Sequence, residues 1–256
     1  MSETEFFHEI RPDQLNLFAC LFCGQSFGWD ALGQNEFQGW FVFEGQTHTA
    51  HLKQTPKGVF VRTSAPRSWF FRYFNLDLDL GEIISTFPND PDIALALRRF
   101  KGLRVLAQDP WETLVSFIIS QNNNIARIRL ILRRMMRAFG GFPRPEDLLD
   151  TPLLKTIGLG YRAEYLTNLG RAVASGRFNP EELRDMSDRD AMRCLLSLHG
   201  VGPKVASCVL LYGYGRHGAF PVDVWLKRMA KPIDYGPYAG WAQLYLYALA
   251  RGLDHL

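Results

Sequence analysis

Leu198-His199-Gly200-Val201-Gly202-Pro203-Lys204-Val205-Ala206 is the stretch that decides the reading of this chain. Paired glycines around a valine make a tight hairpin, and a helix opens directly after it. Gly200, Val201 and Gly202 form the turn, and Lys204 falls in the first helical turn. Backbone N–H groups at a helix start are unpaired and carry the positive end of the helix dipole. That setting disfavours a cation and suits a nucleophilic amine. The same N–H groups cradle phosphate, so the hairpin can grip a nucleic-acid backbone while Lys204 faces the sugar. As a bare turn, Gly-Val-Gly says nothing of function. Asp223, in Phe220-Pro221-Val222-Asp223-Val224, adds a carboxylate downstream.

The rest of the chain narrows the class. With 256 residues it can hold one large domain or two smaller ones with a proper core. No run of about 18 apolar residues is present, so no membrane helix is expected. Met1-Ser2-Glu3-Thr4-Glu5 is acidic and lacks an apolar signal region, which predicts an intracellular protein. The formal charge is only +3, so local patches matter more than the total. Arg127, Arg129, Arg133, Arg134 and Arg137 form one such patch, at spacings that share a helical face. Cys20, Cys23, Cys194 and Cys208 are expected as thiols. Cys20-x-x-Cys23 has no second pair to complete a four-ligand zinc site, so no metal is expected there.

Residues up to about Arg72 alternate aromatic and polar types, with strands predicted at Phe37–Phe43, Thr47–Lys53 and Gly58–Arg62. Asn75 to Asp79 reads as a link. From Asp92 the apolar period becomes helical. Helices are predicted at Trp111–Ile119, from near Asn124, and at Glu146–Leu149, Leu153–Ile157, Arg162–Ser175 and Pro180–Arg184. More follow at Ser187–Leu196, Lys204–Tyr212, Val222–Ala230 and Ala239–Arg251. In the helix after Asn124, Ile128, Ile131, Leu132 and Met135 face inward. The fold class is α+β, with a small antiparallel sheet domain at 1–90 and a two-part helical domain at 91–256 enclosing a cleft.

Hairpin, lysine and Pro-Val-Asp together resemble the helix-hairpin-helix DNA glycosylases that use a lysine nucleophile. Four further motifs, in family order, resemble 8-oxoguanine DNA glycosylase: Gly24-Gln25-Ser26-Phe27-Gly28-Trp29, Ser120 to Arg127, Leu159-Gly160-Tyr161-Arg162-Ala163 and Gly236 to Gln243. The resemblance implies an N-terminal sheet domain, a helix-hairpin-helix glycosylase domain, and hairpin and Asp223 at the cleft mouth. It implies a bifunctional enzyme that flips 8-oxoguanine from opposite cytosine, excises it through a lysine Schiff base, and cleaves the strand by β-elimination. Lys204 is then the nucleophile, and Asp223 the carboxylate that stabilises the positive sugar. Asp223 also stands where it can cap the following helix, and the two roles are compatible.

The same resemblance places Cys208, one helical turn after Lys204, against the flipped base. Gln243 would read the base edge and Tyr247 would stack on its face, the ring rather than the hydroxyl acting. The Gly24 carbonyl would accept from the N7–H that distinguishes 8-oxoguanine from guanine. Asn122, Arg127 and Arg162 would hold the orphaned cytosine, with Tyr161 wedged into the gap. Trp225 replaces a histidine that contacts phosphate in some relatives. Carbonyls around His199 and Val201 would seat a structural cation on DNA phosphate, and no cofactor is required. Other superfamily members carry a four-cysteine iron–sulfur loop after the aspartate; no cysteine follows Cys208 here, so no such cluster is expected. The partner implied is duplex DNA with 8-oxoguanine opposite cytosine, bound by a monomer with no membrane involvement.

One departure stands out. Only Val224 to Tyr235 separates Pro-Val-Asp from the last motif, where the family usually has a loop and a helix. Two other functions compete: an alkylated-purine glycosylase acting by direct water attack, which Lys204 opposes, and a non-catalytic helix-hairpin-helix DNA-binding module.

Overall fold

The computed structural model describes residues 3–253 except 230 and 232. Five strands form one antiparallel sheet: β1 (Thr4–Glu9), β2 (Trp29–Gly33), β3 (Glu36–Phe43), β4 (Gln46–Thr55) and β5 (Gly58–Thr63), in the order β1-β5-β4-β3-β2. β3, β4 and β5 match the three predicted strands. β1 and β2 lacked a strand signal for a physical reason. Both lie at sheet edges, β2 buries only Trp29, and β1 buries none of its side chains fully. Val59 and Val61 point inward while Phe60 is 53% exposed, the period-2 pattern of a sheet with one wet face.

Short helices α1 (Leu17–Phe22), α2 (Ser68–Tyr73) and α3 (Leu80–Ser85) cover the dry face and its margin. The Trp69 ring of α2 stacks on Phe41 of β3 with centroids 3.9 Å apart. Trp29 donates its indole N–H to the Tyr73 hydroxyl at 3.0 Å. The link predicted at 75–79 leads straight into α3, which the periodicity did not reveal in six residues.

Helices then dominate: α4 (Pro91–Arg99), α5 (Pro110–Ser120), α6 (Ile125–Phe139), α7 (Thr151–Ile157), α8 (Arg162–Ala174), α9 (Asp188–Leu196), α10 (Pro203–Cys208) and α11 (Ala239–Ala250). Their starts carry the expected chemistry. Asp90, Asp109, Asn124, Asp150 and Ser187 each accept a backbone N–H through the side chain. Ile128, Ile131, Leu132 and Met135 of α6 are all buried. Glu146–Leu149 and Pro180–Arg184 are 3₁₀ turns rather than α-helices, at Pro145–Leu148 and Pro180–Arg184. Sheet and helices share a large apolar core from Leu15 to Leu253, and Ile93, Leu226, Tyr235, Ala242 and Leu246 form a second, smaller one. Glu112 on α5 joins the two halves: its buried carboxyl accepts the Val42 N–H at 2.7 Å, beyond the end of the β2 ladder.

The helix predicted at Val222–Ala230 is a correction. Asp223 caps a single turn that passes into a 3₁₀ turn at Leu226–Arg228, and Ala230 lies outside the described residues. Leu226 is fully buried, but Val224 and Trp225 are 70% and 46% exposed. Leu226 with the partly buried Met229 is too little apolar surface to hold a longer helix. The shortened segment is pinned to α4 instead: Lys231 pairs with Asp90 and with Asp92, the latter at 3.0 Å. Among the described residues no helix is long and apolar enough to cross a membrane.

Candidate active site

The hairpin sits between α9 and α10. Gly200 has φ +85°, and a Cβ there would lie 2.3 Å from the Tyr165 ring, so only glycine fits both the turn and the close packing. The Val201 N–H returns to the Leu198 carbonyl at 3.1 Å, and Gly202 caps α10. Lys204 is thereby fixed in the first turn. Its Nζ stands 4.8 Å from the centroid of Phe117, a ring on α5 that also stacks on Tyr212. α10 runs into a π-helical turn at Val209–Gly213, so the predicted Lys204–Tyr212 helix is continuous but changes pitch after Cys208.

A cavity of about 650 Å³ opens here. Lys204, Asp223, Gly24, Tyr247, Asn122 and Gly202 all line it. These residues come from five separate places in the sequence, and the fold brings them to one site. Asp223 is half-buried, and its Oδ1 accepts from the N–H groups of Trp225 and Leu226 at 2.9 and 3.0 Å. The capping aspartate is thus held in one orientation with its second oxygen available.

Gly24 has φ +90° and lies against Tyr247: a Cβ would sit 3.4 Å from the tyrosine hydroxyl. Gln25 locks this backbone in place. Its fully buried amide donates to the carbonyls of Cys20 and Arg104 and accepts from Leu106 N–H, each at 2.9 Å. Gln108 donates to the Gln25 carbonyl at 2.7 Å. The motif quoted for Gly24 contained Gln25, but its positioning role needed the tertiary contacts.

Cys208 and Gln243 are buried behind the cavity surface. Burial pushes the Cys208 thiol above its ordinary value, while the Lys204 charge and a hydrogen bond to it pull the other way. Gln243 keeps a buried Oε1 with no hydrogen-bond partner, an acceptor whose need a polar ligand would meet. The Tyr247 hydroxyl, expected to be idle, accepts a hydrogen bond from Arg251 at 3.0 Å.

Of the residues expected at the orphaned base, Asn122 lines the cavity, while Arg127, Tyr161 and Arg162 are not among its lining residues. Asn122 adopts φ +49° and donates to the Tyr161 hydroxyl at 3.1 Å. Arg162 is 6% exposed and donates through Nε to the Gln121 carbonyl at 2.8 Å and through Nη2 to the Gln121 and Asn122 carbonyls. It therefore braces the loop that presents Asn122. Arg127 is exposed and donates to Gly158 O at 3.2 Å, at the end of α7. Gln121 donates to the Gly200 carbonyl at 2.8 Å and so ties this loop to the hairpin. Sequence reading missed Gln121, Phe117 and Arg251, whose residue types signal nothing until they are placed. Among the described residues no group of three or more His, Cys, Asp or Glu could hold a metal ion.

Residues 9–114 match the family described as 8-oxoguanine DNA glycosylase, N-terminal domain. Residues 115–236 match the HhH-GPD superfamily base excision DNA repair proteins. An N-glycosylase/DNA lyase of Saccharomyces cerevisiae is 31% identical over 259 residues, spanning 87% of this chain and 69% of that protein. A solved structure of MBOgg1 with a low-affinity DNA ligand superposes with TM-score 0.88 at 30% identity, covering 99% of each chain. The Clostridium acetobutylicum 8-oxoguanine glycosylase/lyase, solved with double-stranded DNA containing cytosine opposite 8-oxoG, gives TM-score 0.84 at 26% identity. It covers 97% of this chain and 98% of its own. From domain order, relatives and site together, the chain belongs to the N-glycosylase/DNA lyase family of base-excision DNA repair enzymes, in its 8-oxoguanine DNA glycosylase branch.

Proposed function

We propose that this enzyme excises 8-oxoguanine from opposite cytosine in duplex DNA and then cleaves the strand at the resulting site. The convergence of Lys204, Asp223, Gly24 and Tyr247 on one cavity carries the reading. The flipped nucleotide enters the cavity that Gly24 and Tyr247 line, at an unstacking cost of a few kcal/mol. The unprotonated Lys204 amine attacks C1′, the C1′–N9 bond breaks, and the base departs with the bonding pair. The attached nitrogen gives up a proton, and the C1′–O4′ bond breaks with its pair and a proton going to O4′, which leaves a protonated imine between Nζ and C1′. That imine draws electrons from C2′; a proton leaves C2′ and the 3′ phosphate departs with the C3′–O pair. Asp223 offers negative charge where the sugar becomes positive.

Gly24 supports selectivity, because its carbonyl can accept from the N7–H of 8-oxoguanine but opposes the N7 lone pair of guanine. Such a mismatch costs roughly 1–3 kcal/mol. Asn122, Arg127, Tyr161 and Arg162 would engage the cytosine side. The hairpin of Gly200, Val201 and Gly202 would hold the backbone, with a cation on its carbonyls as the implied aid and no cofactor in the chemistry.

Duplexes with 8-oxoguanine opposite each of the four bases test the reading. Preferred excision and nicking opposite cytosine, with a borohydride-trapped covalent product, is expected. Binding without any trapping or base release would reduce the protein to a DNA-binding module. Release of alkylated purines without trapping would favour water attack.

A further inference from the structure

Arg251 lies at the end of α11, one helical turn after Tyr247, and lines the same cavity. Its Nη1 donates to the Tyr247 hydroxyl at 3.0 Å. Its guanidinium carbon lies 5.8 Å from the Tyr247 ring centroid and 5.8 Å from that of Trp225. Trp225 is in turn held by Asp223, which accepts its backbone N–H. A planar cation thus stands between two aromatic rings, within the range of cation–π attraction to both. On its far side the Tyr247 ring edge meets Gly24, with the hydroxyl and Cε1 at 3.4 and 3.5 Å from the glycine's Cβ position. The carboxylate segment, the arginine, the tyrosine and the glycine form one connected wall.

We infer that Arg251 is a positioning residue for base recognition: by holding the Tyr247 hydroxyl and bridging to Trp225, it sets the ring plane that the flipped purine must meet. A tyrosine has one soft torsion at its ring and one at its Cβ; Gly24 packs on its hydroxyl edge, and the cluster that includes Ile93, Leu226 and Leu246 packs on the residue as well. The Arg251 hydrogen bond adds a directional restraint at that same hydroxyl end. A free ring would still be aromatic but would have to be ordered when the base arrives, which weakens binding without changing the bond-breaking step. Burial raises the Tyr247 hydroxyl above its ordinary value, with Arg251 opposing, so the hydroxyl stays protonated as the arginine's acceptor.

The inference rests on the cavity's being the lesion pocket, and the test separates the two. Wild type, Arg251→Met, Arg251→Lys, Tyr247→Phe and the Arg251→Met/Tyr247→Phe double variant are compared on 8-oxoguanine:cytosine duplex. KM and the single-turnover excision rate at saturating enzyme are read, with affinity for undamaged duplex as a function of salt. Arg251→Met is expected to raise KM about tenfold, equivalent to about 1.4 kcal/mol. The saturated excision rate should stay within about threefold, by the uniform-binding rule. Tyr247→Phe, which cannot accept the bond, should reproduce the KM effect while disturbing the fold least. The double variant should be no worse than either single, because both remove the same contact. Arg251→Lys should recover part of the loss.

Additive single effects would overturn the inference. So would equal weakening on damaged and undamaged DNA with a salt slope reduced by about one, the mark of a plain phosphate contact. A wild-type protein inactive on the lesion duplex would instead sink the assignment of the pocket itself.

Discussion

The Lys204 ammonium nitrogen stands 4.8 Å from the centre of the Phe117 ring. Phe117 is 2% exposed and is itself packed on Tyr212 and on the edge of Phe27. A ring face holds an amine in place without the neutralising grip of a carboxylate. The fold therefore presents Lys204 to the cavity from an immobile apolar backing, with Cys208 one turn behind it on the same helix.

Lys204→Gln should abolish base excision and borohydride trapping, while affinity for the lesion duplex stays within a few fold. The substitution keeps a polar side chain, one bond shorter and uncharged, and removes the nucleophilic amine. Trapping of the variant at the wild-type level would place the nucleophile elsewhere.

Asp223→Asn should lower excision by about two to three orders of magnitude, from a loss on the order of 2.7–4 kcal/mol of electrostatic stabilisation. The amide oxygen can still accept from Trp225 and Leu226, so the thermal midpoint should hardly move. A wild-type rate in this variant would leave Asp223 with the cap alone.

Arg127→Ala and Arg162→Ala should both blunt the preference for cytosine, but only Arg162→Ala should also destabilise the fold. Arg162 is buried and supports two carbonyls, whose loss leaves polar groups unmet at about 1–3 kcal/mol. Arg127 is exposed and makes one backbone contact. Excision ratios across the four opposing bases, measured beside denaturant midpoints, check both halves. Unchanged ratios in both variants would remove these residues from cytosine recognition.

Glu112 should make stability depend on pH. Burial pushes its carboxyl up to about 8, against 4.5 for the free group. The folded chain therefore holds this proton more tightly than the unfolded chain does. Its stabilising contribution is complete below about 4.5 and is lost as pH rises toward about 8. The slope is at most about 1.4 kcal/mol per pH unit. Glu112→Gln keeps an acceptor for the Val42 N–H and should flatten the profile over that window. Identical pH profiles for variant and wild type would assign the dependence to other groups.

Sequence alone determined the helix-hairpin-helix start, the three inner strands and most helices, because each rests on local rules. Turn glycines, capping Asp, Asn and Ser, and apolar period act within a few residues of each other. The motifs around Gly24, Asn122, Lys204, Asp223 and Tyr247 were legible as chemical types at recognisable spacings. The tertiary structure decided what those rules cannot reach. β1 and β2 form because neighbouring strands supply their partners, not because their own residues alternate. The described residues from Val222 to Met229 did not become a full helix because only Leu226, with Met229 partly buried beside it, packs on a core. Gln25, Gln121, Phe117 and Arg251 gained roles from contacts across tens of residues, to Arg104, Gly200, Lys204 and Trp225. A hydrogen bond or a ring contact depends on where two chain segments meet in space, and that meeting is set by the whole core at once.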